Sequence, residues 1–260
     1  MRKRIDCTGV RELSVITLMY HRTPDGAPDD FFDVSLAEFQ DQIRRLVDVG
    51  VPFVRFSDCD KTENLGDEVR VAVTFDDGHA SNEKAFVFLA DRGIVPASMI
   101  VRNWSCDDKA FLSAAAISDL KTTCEFGGHG ASHIDLTSLS DSGLKQELAS
   151  SREFLEDILG GWVDTMALPG GRGNARVLAR AVEAGYRLVG NSVPLIQACK
   201  AVSINRICVN SQTLADDPVR WVSAGAAYWR MRRARYVATR LGPRLLGDRL
   251  YAALTGWLKS

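Results

Sequence analysis

Histidine is scarce in this chain, with four among 260 residues, so any two that fall into a pattern carry information. Paired cysteines are missing: Cys7, Cys59, Cys106, Cys124, Cys199 and Cys208 are scattered with no CxxC and no zinc-ribbon spacing. That excludes a cysteine-ligated zinc module and points to reduced, buried thiols. No apolar run reaches the ~20 residues that a membrane-spanning helix needs. Charge of either sign is not in excess, at 32 Lys+Arg against 33 Asp+Glu, so nucleic acid is not an expected partner and any basic surface is local. No internal repeat or long linker is present. Arg2-Lys3-Arg4 has the charge of a signal-peptide head, but Asp6, Arg11 and Glu12 break up the segment where an apolar core would have to stand, and a cytoplasmic protein is expected.

What the chain does contain is alternation. Strand-like LSVITLMY (13–20) is followed by the helical pattern SLAEFQDQIRRLVDVG, which opens on Ser35 and Glu38 in capping-box spacing and closes on Gly50. PFVRF and VRVAVTF read as strands, NEKAFVFLADRG as a helix, PASMIV and CEFGG as strands with a helix near 113–122 between them. Then come a long helix after Ser140, the strand VDTMAL, the turn PGGRGN, the helix ARVLARAVEAG and the strands YRLVG and SINRICV. Strands this continuously apolar have no wet face, so an α/β fold of parallel strands covered by helices is expected, as a barrel or a doubly wound sheet. Residues 1–215 are read as one domain and 216–260 as an extension.

The polar residues suited to chemistry stand just after these strands: His21, Asp76 and Asp77, His129, and the Pro169-Gly170-Gly171 turn. In barrels and open α/β sheets the carboxyl ends of strands are where separate segments converge on a ligand. One site on one rim is therefore expected. HGASH (129–133) offers two imidazoles four apart, which share a face if the segment turns helically. With Asp77 they make a two-histidine, one-carboxylate set for a divalent metal. Asp76 and Asp77 end the apolar VAVTF, and side chains of neighbouring strand residues point to opposite sides. The two are therefore assigned different tasks, one holding metal and one acting as a base towards water. Gly78 lets the chain turn. A glycosidase using this pair is excluded, because adjacent carboxylates cannot flank a glycosidic bond at roughly 5 Å or more.

TFDDG (74–78), HGASH (129–133) and LPGG (168–171) together resemble the first three motifs of the polysaccharide deacetylases, over roughly residues 13–210. YHRTP and the helix after it resemble the branch acting on poly-N-acetylglucosamine-type substrates. The resemblance implies a distorted (β/α) barrel and a metal-dependent hydrolase that removes the N-acetyl group from an acetamido sugar. It also implies Asp76 as the base and Asp77, His129 and His133 as ligands of one divalent ion, zinc first, with Co, Ni, Mn and Fe as alternatives. The turn at Pro169, with the N–H of Gly170 or Gly171, would hold the oxyanion. The sequence departs from the family in four places. Gly130 stands where Ser or Thr is usual, Thr165, Met166 and Ala167 stand before LPGG where an Arg is usual, Gly170 takes the place of a Tyr, and no histidine follows His133 to serve as the late general acid. Arg206 is the candidate for the cation that orients Asp76; His21 and His79 are candidates for the acid or for substrate contact. An inactive sugar-binding relative is the alternative reading.

From Tyr228 to Ser260, eight Lys/Arg face one acid, Asp248, and aromatic residues are interleaved with them. One expectation is two helices, split near Gly242-Pro243, packed on the domain. The other is peripheral contact with an anionic membrane.

Overall fold

The computed structural model describes residues 14–61, 69–198 and 201–246. Six parallel strands succeed one another around the molecule: β1 (Ser14–Tyr20), β2 (Arg70–Phe75), β3 (Ala97–Ile100), β4 (Glu125–Gly128), β5 (Thr165–Ala167) and β6 (Leu188–Gly190). Short β7 (Gln197–Ala198) runs antiparallel to the start of β1. The ring is closed by the segment Ser203–Cys208, which divides its pairing. Its first part, β8 (Ser203–Ile204), lies parallel to β6, and after Asn205 its second part, β9 (Arg206–Cys208), lies parallel to β1. The result is the distorted (β/α) barrel that the sequence implies. Every β2 residue is buried, which explains why its sequence is unbroken in apolarity rather than alternating.

Register carries the chemical residues to one rim. Tyr20 is paired with Phe75, so His21 and Asp76 leave adjacent strand ends together. Ile100 is paired with Gly128, and Ala167 with Gly190, so His129 and the turn after Leu168 emerge at the same level.

The helices cover the barrel from outside: α1 (Leu36–Asp48), α2 (Glu83–Ala90), α3 (Arg102–Asp107), α4 (Ala114–Leu120), α5 (Asp141–Leu159) and α6 (Ala175–Glu183). The Ser35 side chain caps α1 by accepting from the Glu38 N–H, and Ser140 caps α5 by accepting from Gly143. Such caps contribute ~1 kcal/mol each. Phe39, Ile43 and Leu46 of α1 are fully buried, on the stripe that their spacing indicates. Helix α5 approaches β4 closely because β4 ends in glycine: a Cβ on Gly128 would strike the Tyr186 hydroxyl and lie 2.9 Å from Ser151 Oγ.

Two expectations are corrected. PFVRF is not a strand; only Phe53 bridges to Val71, and Phe56–Asp58 forms a 3-10 turn. The reason is edge occupancy, since β3 meets β2 only at Thr74 and Phe75 and leaves just the Val71 end for another segment. Nor is the extension split at Gly242-Pro243. After α7 (Asp217–Ser223), one helix, α8, runs from Ala226 to Leu246. Trp221, Val222 and Trp229 belong to the main core, so the extension is anchored to the barrel where it begins. Cys59, Cys106, Cys124 and Cys208 are free thiols; Cys7 and Cys199 lie outside the described residues. No helix among the described residues is long and apolar enough to cross a membrane.

Candidate active site

Arg206 lies inside the barrel beneath the rim with no solvent exposure at all, and Asp76 is 3% exposed. The guanidinium donates twice to this carboxylate, Nη1 to Oδ1 at 2.6 Å and Nη2 to Oδ2 at 2.8 Å. Its Nε donates to the Asn191 carbonyl at 3.1 Å. A bidentate pair of this kind satisfies both charges in a dry setting, where either alone would be very costly. Burial opposes ionisation of Asp76, but the charge of Arg206 and its hydrogen bonds prevail and hold the carboxyl far below the usual range. Asp76 is thus a carboxylate at every ordinary pH, with one fixed orientation.

Asp77 is turned elsewhere by its backbone. It has a left-handed φ of 73°, followed by Gly78 at 75°, a conformation that costs a non-glycine residue of order 1–3 kcal/mol. The different orientations of the two carboxylates therefore come from a kink beyond the strand end, β2 having stopped at Phe75. Asp77 Oδ1 lies 3.5 Å from His129 Nε2 and 3.3 Å from His133 Nε2. It is buried, yet meets hydrogen-bond geometry with no partner, and an orphaned buried carboxylate oxygen calls for a cation.

His129 Nδ1 is 3.0 Å from the Ala167 carbonyl, so Nδ1 is the protonated donor and Nε2 faces Asp77. This is the way a ligand imidazole is commonly oriented. Burial disfavours an imidazolium here, but Asp76 and Asp77 raise the His129 pKa above its ordinary value. The same two carboxylates would favour a metal cation in the proton's place. Burial and then His129 push the His133 pKa down, leaving a neutral imidazole. One donor atom from each of Asp77, His129 and His133 falls within 4.8 Å of the others. Donor chemistry, tautomer and orphaned oxygen all fit a divalent ion.

The 129–133 segment is a tight loop, not the helical turn that would set both imidazoles on one helix face. Gly130 has φ 78° and His133 φ 58°. Its brace is not legible in the motif. Glu147 on α5, 9% exposed, accepts from the Ser132 N–H at 2.6 Å and from the Ser132 hydroxyl at 2.9 Å, both at Oε1. A Cβ on Gly130 would sit 3.1 Å from that oxygen. Glycine at 130 is thus what lets the carboxylate close over the loop. The available signal is a glutamate on the buried stripe Leu144, Glu147, Leu148, Ser151, Leu155, since a buried charge needs a partner.

Pro169–Gly171 forms a 3-10 turn after β5. The Gly171 N–H is already used, donating to the Leu168 carbonyl at 2.8 Å, whereas Gly170 N–H finds no acceptor among the described residues and Gly170 is exposed. Of the two expected oxyanion donors, Gly170 is the one available. His21 lies against Phe32, ring centroids 4.5 Å apart and the planes tilted by 41°; its Nδ1 is buried without a hydrogen-bond partner. Burial lowers its pKa, opposed by the nearby charges of Asp76 and Asp77. His79 is committed locally: its Nδ1 accepts from the Ser81 N–H, capping the turn after Gly78, and its ring meets Phe111 edge-on at 5.4 Å. Trp104, which no motif in the sequence marks, stacks on His133 at 4.8 Å and lies 4.9 Å from Phe111.

Residues 64–189 match the family model described as polysaccharide deacetylase. No curated protein sequence matches the chain. Among solved structures, a Streptococcus pyogenes deacetylase, PplD, in complex with acetate is 21% identical with a TM-score of 0.74, over 80% of this chain and 98% of its own. IcaB from Ammonifex degensii is 22% identical with a TM-score of 0.74, over 82% and 99%. BC0361, a polysaccharide deacetylase from Bacillus cereus, is 23% identical with a TM-score of 0.71, over 81% and 69%. At these identities the likeness is one of fold.

Proposed function

Because residues 64–189 match the polysaccharide deacetylase model, we propose that the chain is a member of that family and a metal-dependent hydrolase that removes the N-acetyl group from an acetamido sugar. The observation that carries the proposal is the meeting, at one rim, of a fixed carboxylate, Asp76 on Arg206, with the donor set Asp77, His129 and His133. That the streptococcal structure holds acetate, the product of such a reaction, supports the same reading.

Asp77, His129 and His133 would hold the ion, with zinc first and Co, Ni, Mn or Fe suiting the same donors. When bound, it supplies Lewis acidity to the acetamide carbonyl and acidifies water. The chain's own residues do the rest. Asp76 takes a proton from the attacking water, and Arg206 keeps its carboxylate aimed, and charged until that transfer. Gly170 N–H is placed to donate to the carbonyl oxygen as it gains negative charge. As the C–N bond breaks, the leaving nitrogen needs a proton, and we assign its delivery to His21, which leaves the strand end beside Asp76, has an uncommitted ring nitrogen and would pass on the proton that Asp76 took from water. The sugar is a nucleotide-, lipid- or small-molecule-linked one in this proposal, and Trp104 and Phe32 flank the site where its ring would lie.

The test is acetate release from a panel of N-acetylated sugars and conjugates, with protein stripped by chelator and reloaded with each metal in turn. Release should require metal and fall at least about 100-fold in Asp76→Asn. Release that survives either change refutes the mechanism; metal binding without release on any substrate favours the inactive sugar-binding alternative.

A further inference from the structure

Three loops leave the catalytic rim from neighbouring strands. The loop after β1 exposes Phe31 at 47% and Phe32 at 43%, and the loop after β9 exposes Leu214 at 61%. The two are tied together, since the Ser211 N–H donates to the Phe31 carbonyl at 3.0 Å and the Ser211 hydroxyl donates to the same oxygen at 3.2 Å. The third loop, after β6, carries α8: Arg232 Nε donates to the Pro194 carbonyl at 2.7 Å, and its guanidinium lies over Trp221 and Trp229.

Helix α8 contains six arginines and no acid between Ala226 and Leu246. Arg230, Arg233 and Arg235 are exposed, and among the described residues no carboxylate lies within ion-pair distance of them. Between these cations Ala227, Met231, Ala234 and Ala238 are exposed as well, following one another at helical spacing. The Phe31 loop carries four acids, of which Asp30 and Asp33 share Arg22 at 3.6 and 2.6 Å and Asp25 pairs with Lys84, so the cationic contacts are supplied by α8 and the loop supplies the apolar ones.

We propose that this side of the rim docks on an anionic lipid bilayer, with Phe31 and Leu214 entering the headgroup region and Arg230, Arg233 and Arg235 meeting lipid phosphates. A nucleic acid would use the cations but leave the exposed aromatic and aliphatic groups in water; a second copy would bring three exposed arginines against three. An anionic bilayer accounts for both features at once. The corollary, that the acetamido sugar is presented on a lipid carrier, rests on the deacetylase reading; the docking itself does not.

Flotation of the full chain with vesicles separates docking from catalysis. Recovery is expected with phosphatidylcholine containing about one third phosphatidylglycerol and not with phosphatidylcholine alone, and it should weaken sharply when salt is raised from about 0.1 M to about 0.5 M. The triple variant Arg230→Glu/Arg233→Glu/Arg235→Glu should lose on the order of 100-fold in partitioning, and Phe31→Ser/Leu214→Ser roughly tenfold. Acetate release from a soluble substrate, measured on the same preparations, should be unchanged in both and also reports that they are folded. Equal recovery with neutral and anionic vesicles, binding untouched by the charge reversal, or tighter binding to a DNA or RNA oligonucleotide than to the vesicles overturns the docking. Flotation without acetate release in any protein leaves docking standing and removes the catalytic reading.

Discussion

The buried floor of the site and the rim loops around it hold two covalently adjacent carboxylates in opposite ways. On the floor, Asp76 is fixed by a fully buried guanidinium through two short bonds, and both partners come from strands or strand ends locked by register. On the rim, Asp77 and His133 occupy left-handed backbone positions, are partly exposed, and depend on a loop closed by one glutamate. The floor therefore derives its geometry from the fold itself and should fail only when the fold does. The rim derives its geometry from a few local contacts and can be loosened while the barrel stays intact. A group that must keep one charge and one direction suits the first setting, whereas ligands that must admit an ion and a substrate suit the second.

Breaking the floor should have the largest effect. Asp76→Asn removes the base and leaves Arg206 charged without its counter-ion, so activity is lost and stability falls by about 3–5 kcal/mol, read as a lower thermal midpoint. Adding Arg206→Met to it should restore most of the stability and none of the activity, because the buried charge is gone but the base is still absent. The pH dependence has the same origin. The folded-state pKa of Asp76 is depressed, so its contribution is complete above the unfolded carboxyl pKa of roughly 4 and is lost as pH falls below that. Wild-type protein should destabilise in acid with a steeper slope than Asp76→Asn. Equal slopes would mean that the pair is not what holds the floor.

Loosening the rim should cost less stability and more metal. Glu147→Ala leaves the Ser132 N–H and hydroxyl without their acceptor, and an outer support of this kind is worth ~10–100-fold in metal affinity. Glu147→Gln keeps an acceptor oxygen and should recover much of it. Competition between the protein and a chromophoric zinc chelator measures this without any turnover. A loss confined to thermal stability, with affinity unchanged, would reduce Glu147 to a packing role.

The same contrast governs what is legible in the sequence. The floor is legible because strand register follows from apolar runs: VAVTF and SINRICV announce themselves, and a lone arginine inside the latter stands out as a charge that needs a partner. HGASH is legible as a pair of imidazoles but not as a loop, because the left-handed conformation of His133 is imposed by its surroundings rather than by its own preference. Glu147 is hidden by distance along the chain, its partner Ser132 being on another element. Nor can PGGRGN reveal which glycine donates: only the folded turn commits Gly171 N–H to Leu168 and leaves Gly170 free. PFVRF misleads because β-propensity says nothing of whether an edge is vacant.

The smallest effect separates the two unassigned histidines. His79 works inside its own turn, where its Nδ1 caps the segment Ala80–Asn82, so His79→Ala should cost ~1 kcal/mol and leave the shape of the pH–rate profile alone. His21 lacks such a bond and borders both aspartates. If it supplies the proton to the leaving nitrogen, His21→Ala should lower kcat by roughly 100-fold or more and remove the basic limb of the profile while KM changes little. A substrate with a better leaving group should then recover part of the lost rate, since it needs less help from an acid. A basic limb that survives in His21→Ala but vanishes in His79→Ala would move the acid from the end of β1 to the turn beside Asp77. The rim, rather than the floor side of the site, would then supply the proton.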